Sequence, residues 1–171
     1  MLESQGCNIS SIPTEVGELA SLVRLDLSRN SITTFGIALS IANLQCLTYL
    51  NLSKNLIDVF PDEILQLASL TELDMSFNAI SALPQGIKDM SKLVRLWLNN
   101  NRIDSFSVAL ASLKSLAVLE LRHNQISTIP PEIGQLVALK RLELGHNHIK
   151  DVPNELARLT SLNVYSNNAA Y

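Results

Sequence analysis

The chain has 171 residues, of which 47% are apolar and 17% charged, a balance that can bury a continuous core and excludes a disordered chain. Its formal net charge is −3 and it has no run of lysine or arginine, so the electrostatic footprint of a nucleic-acid binder is missing. No stretch approaches the roughly 18 continuous apolar residues that a membrane-spanning helix needs.

Along the chain, the N-terminal MLESQGCNISS lacks the charged and apolar segments of a secretory signal. Cys7 and Cys46 are the 2 cysteines and lie far apart, which is no disulfide framework. A reducing, cytoplasmic setting is the expectation. Asn8-Ile9-Ser10 and Asn51-Leu52-Ser53 match the glycosylation triplet, but LNLS is also what the repeat below writes by default.

From Leu22 onward one form recurs: LxxLxLxxN, as LVRLDLSRN, LTYLNLSKN, LTELDMSFN, LVRLWLNNN, LAVLELRHN and LKRLELGHN. The opening leucines Leu22, Leu47, Leu70, Leu93, Leu116 and Leu139 lie 25, 23, 23, 23 and 23 residues apart, which marks a repeat architecture. Leu2, Ser4 and Cys7 fall 23 residues before Leu25, Leu27 and Asn30, so the sequence begins inside a unit. The second unit is 2 residues longer, in TTFGIALSIANLQC, where Gly36 stands at the place of proline and the insertion is expected to bulge outward. The unit from Leu93 has Ser107 for that proline, and a different back turn is expected there. At the end, Leu162 continues the 23-residue spacing, while Leu159, Leu162, Val164 and Asn167 fit LxxLxLxxN in a register three residues earlier. The second register is favoured. No capping unit is recognisable at either end, and residues 1–171 read as a single domain of about seven units, the first and last partial.

Within each unit, Leu-x-Leu is a period-2 pattern, so a short strand sends leucines to one side and the x residues to the other. The asparagine at the ninth position can donate and accept to backbone groups of its own and the neighbouring turn. Asn30, Asn55, Asn78, Asn101, Asn124 and Asn147 are expected to form a buried structural ladder, with Cys7 in the same slot of the first unit. The back half, xIxxfPxxIxxL, suits a short helical or 3₁₀ turn opened by proline. Phe35, Phe60, Leu83, Phe106, Ile129 and Val152 line up as a second buried column. Stacking makes an α/β solenoid with a parallel sheet on its narrower, concave side.

The pattern LxxLxLxxNxIxxfPxxIxxLxx, written here as LTELDMSFNAISALPQGIKDMSK and LAVLELRHNQISTIPPEIGQLVA, resembles the 23-residue leucine-rich repeat over nearly the whole chain. Its proline-bearing back half is similar to the repeats of Ras suppressor, Ras-scaffolding proteins, Scribble and Erbin. The resemblance implies a horseshoe segment, protein binding through the concave sheet, and no catalysis by the repeats. By resemblance, a small GTPase, a phosphatase or another signalling component is the kind of partner implied.

The exposed x positions carry the candidate site: Arg24 and Asp26, Tyr49 and Asn51, Glu72, Asp74 and Phe77, Arg95, Trp97 and Asn99, Glu120 and Arg122, Arg141 and Glu143. Tyr49, Phe77 and Trp97 are placed on three consecutive strands, and exposed aromatics beside arginine are the composition of interface hot spots. Asp26, Asp74, Glu120 and Glu143 fall in one column beside Arg24, Arg95 and Arg141, where solvated cross-strand ion pairs are the plainer reading. His123 and His146 fall at equivalent points with His148 nearby, but two histidines make an incomplete metal site, and no cofactor is implied. Cys7, placed in the buried ladder, and Cys46, before a core leucine, make poor nucleophiles, and no phosphate loop or Ser-His-Asp arrangement is present. An enzyme is not expected. The function that follows is a scaffold or regulatory module holding a protein on the concave face; the alternative is a structural spacer or oligomerisation segment of a larger protein.

Overall fold

A computed structural model describes residues 1–166; Asn167, the last position of the earlier-register repeat, lies outside them. Eight short strands run in chain order, β1 (Leu2–Glu3), β2 (Arg24–Asp26), β3 (Tyr49–Asn51), β4 (Glu72–Asp74), β5 (Arg95–Trp97), β6 (Val118–Glu120), β7 (Arg141–Glu143) and β8 (Val164–Ser166). Each pairs in parallel only with its sequence neighbours, giving one open sheet in the order β1 to β8. The chain is a leucine-rich-repeat-type solenoid, with the sheet on its concave side and 3₁₀ turns on the convex side.

Register follows the repeat. Leu25, Leu50, Leu73, Leu96, Leu119 and Leu142 are direct partners from strand to strand, and each is fully buried. At roughly 1.5–3 kcal/mol per buried aliphatic side chain, this column and its neighbours at Leu52, Met75, Leu98 and Leu121 hold each unit to the next. No unit buries its own leucines alone.

The convex side is built from five-residue 3₁₀ turns such as Asp62–Gln66, Gln85–Asp89 and Pro131–Gln135. Pro61, Pro84, Pro130 and Pro153 sit one place before the turn in extended geometry, where a fixed φ is suitable and no backbone donor is needed. Ser107 overturns the expectation of a different turn: at φ −68° and ψ 120° it enters the same 3₁₀ geometry over Val108–Ser112. Extended backbone is all the position requires, and serine reaches it without a ring.

The longer second unit corrects the buried column. Phe60, Leu83, Phe106 and Ile129 are buried, but Phe35 is 97% exposed and Ile37, at 5%, takes its place. Counting back from the buried Ile41 keeps the 23-residue spacing, so Ala38 rather than Gly36 stands at the proline position and Phe35-Gly36 is the bulge. Val152, near the end of the stack, is also exposed. The final register is corrected too: Arg141, Leu142 and Glu143 pair with Val164, Tyr165 and Ser166, so the 23-residue spacing holds and the earlier register does not form. Tyr165 thus occupies the leucine slot of the last strand, and the apolar residue that matters for spacing is Leu162, half-buried against the core.

Candidate functional site

The geometry of the sheet face starts from the asparagine ladder, because the ladder sets where each strand turns away. In Asn55, Asn78, Asn101, Asn124 and Asn147 the amide nitrogen donates to a carbonyl of its own turn and to one of the preceding unit, while Oδ1 accepts a backbone N–H of the preceding unit at 3.0 Å. Asn30 does the same toward the first unit, accepting from the N–H groups of Cys7 and Ile9. To aim these side chains, the residue before each one adopts a left-handed backbone: Arg29, Lys54, Phe77, Asn100, His123 and His146, all with φ between 55° and 58°. A non-glycine residue pays about 1–2 kcal/mol for that conformation, less for asparagine. The sequence carries a hint of it only at Asn100.

Strand alternation and the turn then set out four registers. Arg24, Tyr49, Glu72, Arg95, Val118 and Arg141 form one, and Asp26, Asn51, Asp74, Trp97, Glu120 and Glu143 the next. Asn99 and Arg122 follow in the register whose other members Ser28, Ser53 and Ser76 are buried. Phe77 stands in the last, among the left-handed residues, so it is not on β4 as expected but in the turn after it, 49% exposed at the edge of the face. Tyr49 on β3 and Trp97 on β5 stand on the face itself, both half-buried. Two further expectations are corrected. Glu143 is only 4% exposed, a buried carboxylate rather than a free contact, because Arg141 and Arg122 close over it. The Cys7 side chain is exposed rather than buried, although its thiol still donates weakly to Gln5 O at 3.4 Å while its backbone N–H donates to Asn30.

The polar groups are extensively tied. Arg24 lies 3.9 Å over the Tyr49 ring and Lys54 Nζ 5.1 Å from the centre of Phe77, so these two aromatics each carry a cation. Arg95 pairs with Glu72, and Arg141 bridges Glu120 and Glu143 at 3.2 Å each. Arg122 Nη1 faces Glu143 Oε2 at 3.7 Å, too far for a hydrogen bond, and that oxygen accepts none. Asn99 donates to Glu120 at 2.8 Å and accepts the Arg122 N–H at 2.8 Å. Asp26, Asn51 and Asp74 each accept the backbone N–H two residues on, at 2.9 Å, which pins the carboxylate or amide in place. The recurring D/N-x-S spacing at these three positions was the readable signal for those bonds.

Trp97 sits between Asp74 and Glu120 in the register. Glu120 is matched by Arg141, whereas no ion pair reaches Asp74 among the described residues. Burial raises the pKa of Asp74 above its ordinary value and the nearby charges of Glu120 and Asp26 raise it further, against the lowering hydrogen bond from Ser76. A carboxyl whose folded pKa exceeds its unfolded one loses stability as pH rises through that folded value, so at neutral pH the ionised Asp74 is a net cost. Asn51 shows that an amide makes the same bond to the residue two places on. Asp74→Asn therefore raises the melting temperature at neutral pH, by the equivalent of under about 1 kcal/mol. The gain disappears at about pH 3, where Asp74 is protonated anyway. Paired thermal melts at the two pH values check this.

At the far side of the face His123 and His146 stack in parallel, 4.1 Å between ring centres. Stacked rings do not converge on a common point, and among the described residues no three His, Cys, Asp or Glu gather as ligands. Desolvation, with the positive charges of His146 and Arg122, holds His123 below the ordinary histidine pKa. A depressed folded pKa means that the stability of the neutral stack is lost as pH falls through it. His146→Ala moves the His123 titration upward, read from its ring resonances by NMR across pH; an unmoved midpoint would deny the coupling.

With this geometry stands a clear kinship. Residues 38–80 and 114–168 match a profile described as leucine rich repeat, 68–112 one described as leucine rich repeats in two copies, and 21–44 a further leucine rich repeat profile. The chain belongs to the leucine-rich repeat proteins. Among solved structures, a leucine-rich repeat protein of Leptospira interrogans is 31% identical with a TM-score of 0.70, over 92% of this chain and 46% of its own. The plant peptide hormone receptor RGFR1, solved in complex with RGF2, is 29% identical with a TM-score of 0.80, over 92% of this chain and 26% of the receptor. PEPR1, solved with AtPEP1, is 30% identical with a TM-score of 0.79, over 92% of this chain and 23% of its own. The chain thus spans less than half the length of each of these three. No curated protein matches it.

Proposed function

We propose that this chain is a protein-binding module, and that its partner is held on the concave sheet with a lysine or arginine side chain seated on Trp97 beside Asp74. The observation that carries this is the indole of Trp97, half-buried in the sheet face next to a carboxylate that forms no ion pair among the described residues. An arginine of a partner would gain a cation–π contact and relieve the desolvated charge at once. Tyr49 with Arg24, and Phe77 with Lys54, extend the site as further aromatic anchors on the two preceding units. The structure of a plant peptide hormone receptor with similar repeats, RGFR1, in complex with RGF2 supports a polypeptide as the ligand. A signalling component such as a small GTPase or a phosphatase, met in the cytoplasm, is the finer form of the proposal.

The test is affinity capture with the intact protein beside a Tyr49→Ala, Trp97→Ala double variant, followed by titration of each captured protein. A partner retained by the parent and lost by the variant supports the module. Partners that survive this change and charge reversal at Asp74, yet are lost when an end unit is deleted, would make the chain a spacer.

A further inference from the structure

The second surface lies off the sheet, where the second unit carries its two extra residues. Ile37 fills the buried position, so Phe35 is left 97% exposed at the tip of the bulge. The bulge is not slack. Gly36 O accepts the Ile12 N–H at 2.6 Å, and a Cβ on Gly36 would lie 2.3 Å from Ser10 O, so glycine alone allows this peptide to seat against the first unit. On the opposite side Thr34 Oγ1 lies 2.8 Å from Asp58 Oδ1 and 2.9 Å from Val59 O, sharing its proton between them, and accepts the Val59 N–H at 3.1 Å. Phe35 is therefore presented by a backbone fastened to units on both sides while burying almost none of its own area. An aromatic fixed in advance loses little entropy when something covers it.

Below Phe35 is a depression of about 340 Å³ formed with Val59, Phe60 and Pro61 and edged by Asp62 and Glu63. It meets a second depression of about 210 Å³ that shares Val59, Phe60 and Asp62 and extends to Leu83 and Pro84 of the next unit. Together they make an apolar groove across three units. Asp62 and Glu63 supply its charge, and neither lysine nor arginine lines either depression. A second copy docking face to face would bring acid against acid.

We propose that this groove is a further protein-binding site, separate from the sheet face, which takes an extended segment of a partner with an aliphatic or aromatic anchor beside Phe35 and lysine or arginine over Asp62 and Glu63. The probe is a phage-displayed library of random peptides of about twelve residues, selected on the intact protein and counter-selected on Phe35→Ser. Selected peptides are expected to combine an apolar anchor with lysine or arginine. They are expected to bind Phe35→Ser, and separately the Asp62→Asn, Glu63→Gln variant, at least about tenfold more weakly. They keep their affinity for Trp97→Ala, which separates this site from the sheet face. Thermal melts of Phe35→Ser match the parent, since the side chain is exposed; if they do not, the paired carboxylate variant carries the same comparison. Selection that yields no peptide, acidic or uncharged peptides, or peptides lost in Trp97→Ala would overturn the proposal. So would a concentration-dependent dimer abolished by Phe35→Ser, which would give the groove to a second copy.

Discussion

Asn101→Ala lowers the unfolding free energy by about 1–3 kcal/mol, the cost of leaving buried backbone groups without partners. Asn101 is 8% exposed, and its Oδ1 accepts the Ile80 N–H while its amide nitrogen donates to Met75 O and Leu98 O. Alanine removes all of these at once, and the site is too apolar around Leu98 and Ile103 for water to replace them readily. Because each unit contacts mainly its neighbours, a break here uncouples the two halves of the array. Asn147 has the same bonds and burial but fewer units beyond it, so its loss costs less. Asn30 is only half-buried and costs least. Urea denaturation of the three variants gives the order directly; three curves that overlay the parent would remove the ladder from the account of stability.

Trp97→Ala divides in the opposite way. Leu96 and Leu98 point into the core with no exposed surface, so alternation keeps the indole on the outside of the sheet whatever binds it. Its loss therefore changes the unfolding free energy by less than about 1 kcal/mol, on the scale of surface substitutions. Binding of the partner weakens by roughly 2 kcal/mol or more, about thirtyfold, as for a hot-spot aromatic. Calorimetric titration and thermal melts on the same preparation separate the two effects. A variant that loses several kcal/mol of stability and no affinity would place Trp97 among the structural residues.

Fold was legible because the period is local. A leucine every second residue can face only one way, and 23-residue spacing brings like against like. What the sequence left open was how two extra residues are shared out. Phe35 matches Phe60 when counted from Asn30 and Ile37 matches it when counted from Ile41, and only packing chooses the count that preserves the spacing behind. Ser107 misled because proline was read as a requirement, when an extended backbone is all the turn needs. At the end, Tyr165 in a leucine slot hid the true register behind a competing set of apolar residues. On the candidate face, the columns of Arg24 and Asp26 were readable from alternation. The displacement of Phe77 was not, because a left-handed residue of that type has no sequence signature. Nor was the burial of Glu143, which depends on Arg141 of its own strand and Arg122 of the turn after β6 folding over it.

Trp97 is the single tryptophan of the chain, so its fluorescence reports on one point at the centre of the proposed site. The measurement is acrylamide quenching of that emission, in the free protein and with a captured partner at saturation. Binding on the concave face predicts an indole that is partly quenched when free, and that becomes protected and blue-shifted in the complex. A partner that binds tightly while the emission and the quenching stay as they were in the free protein would contradict it.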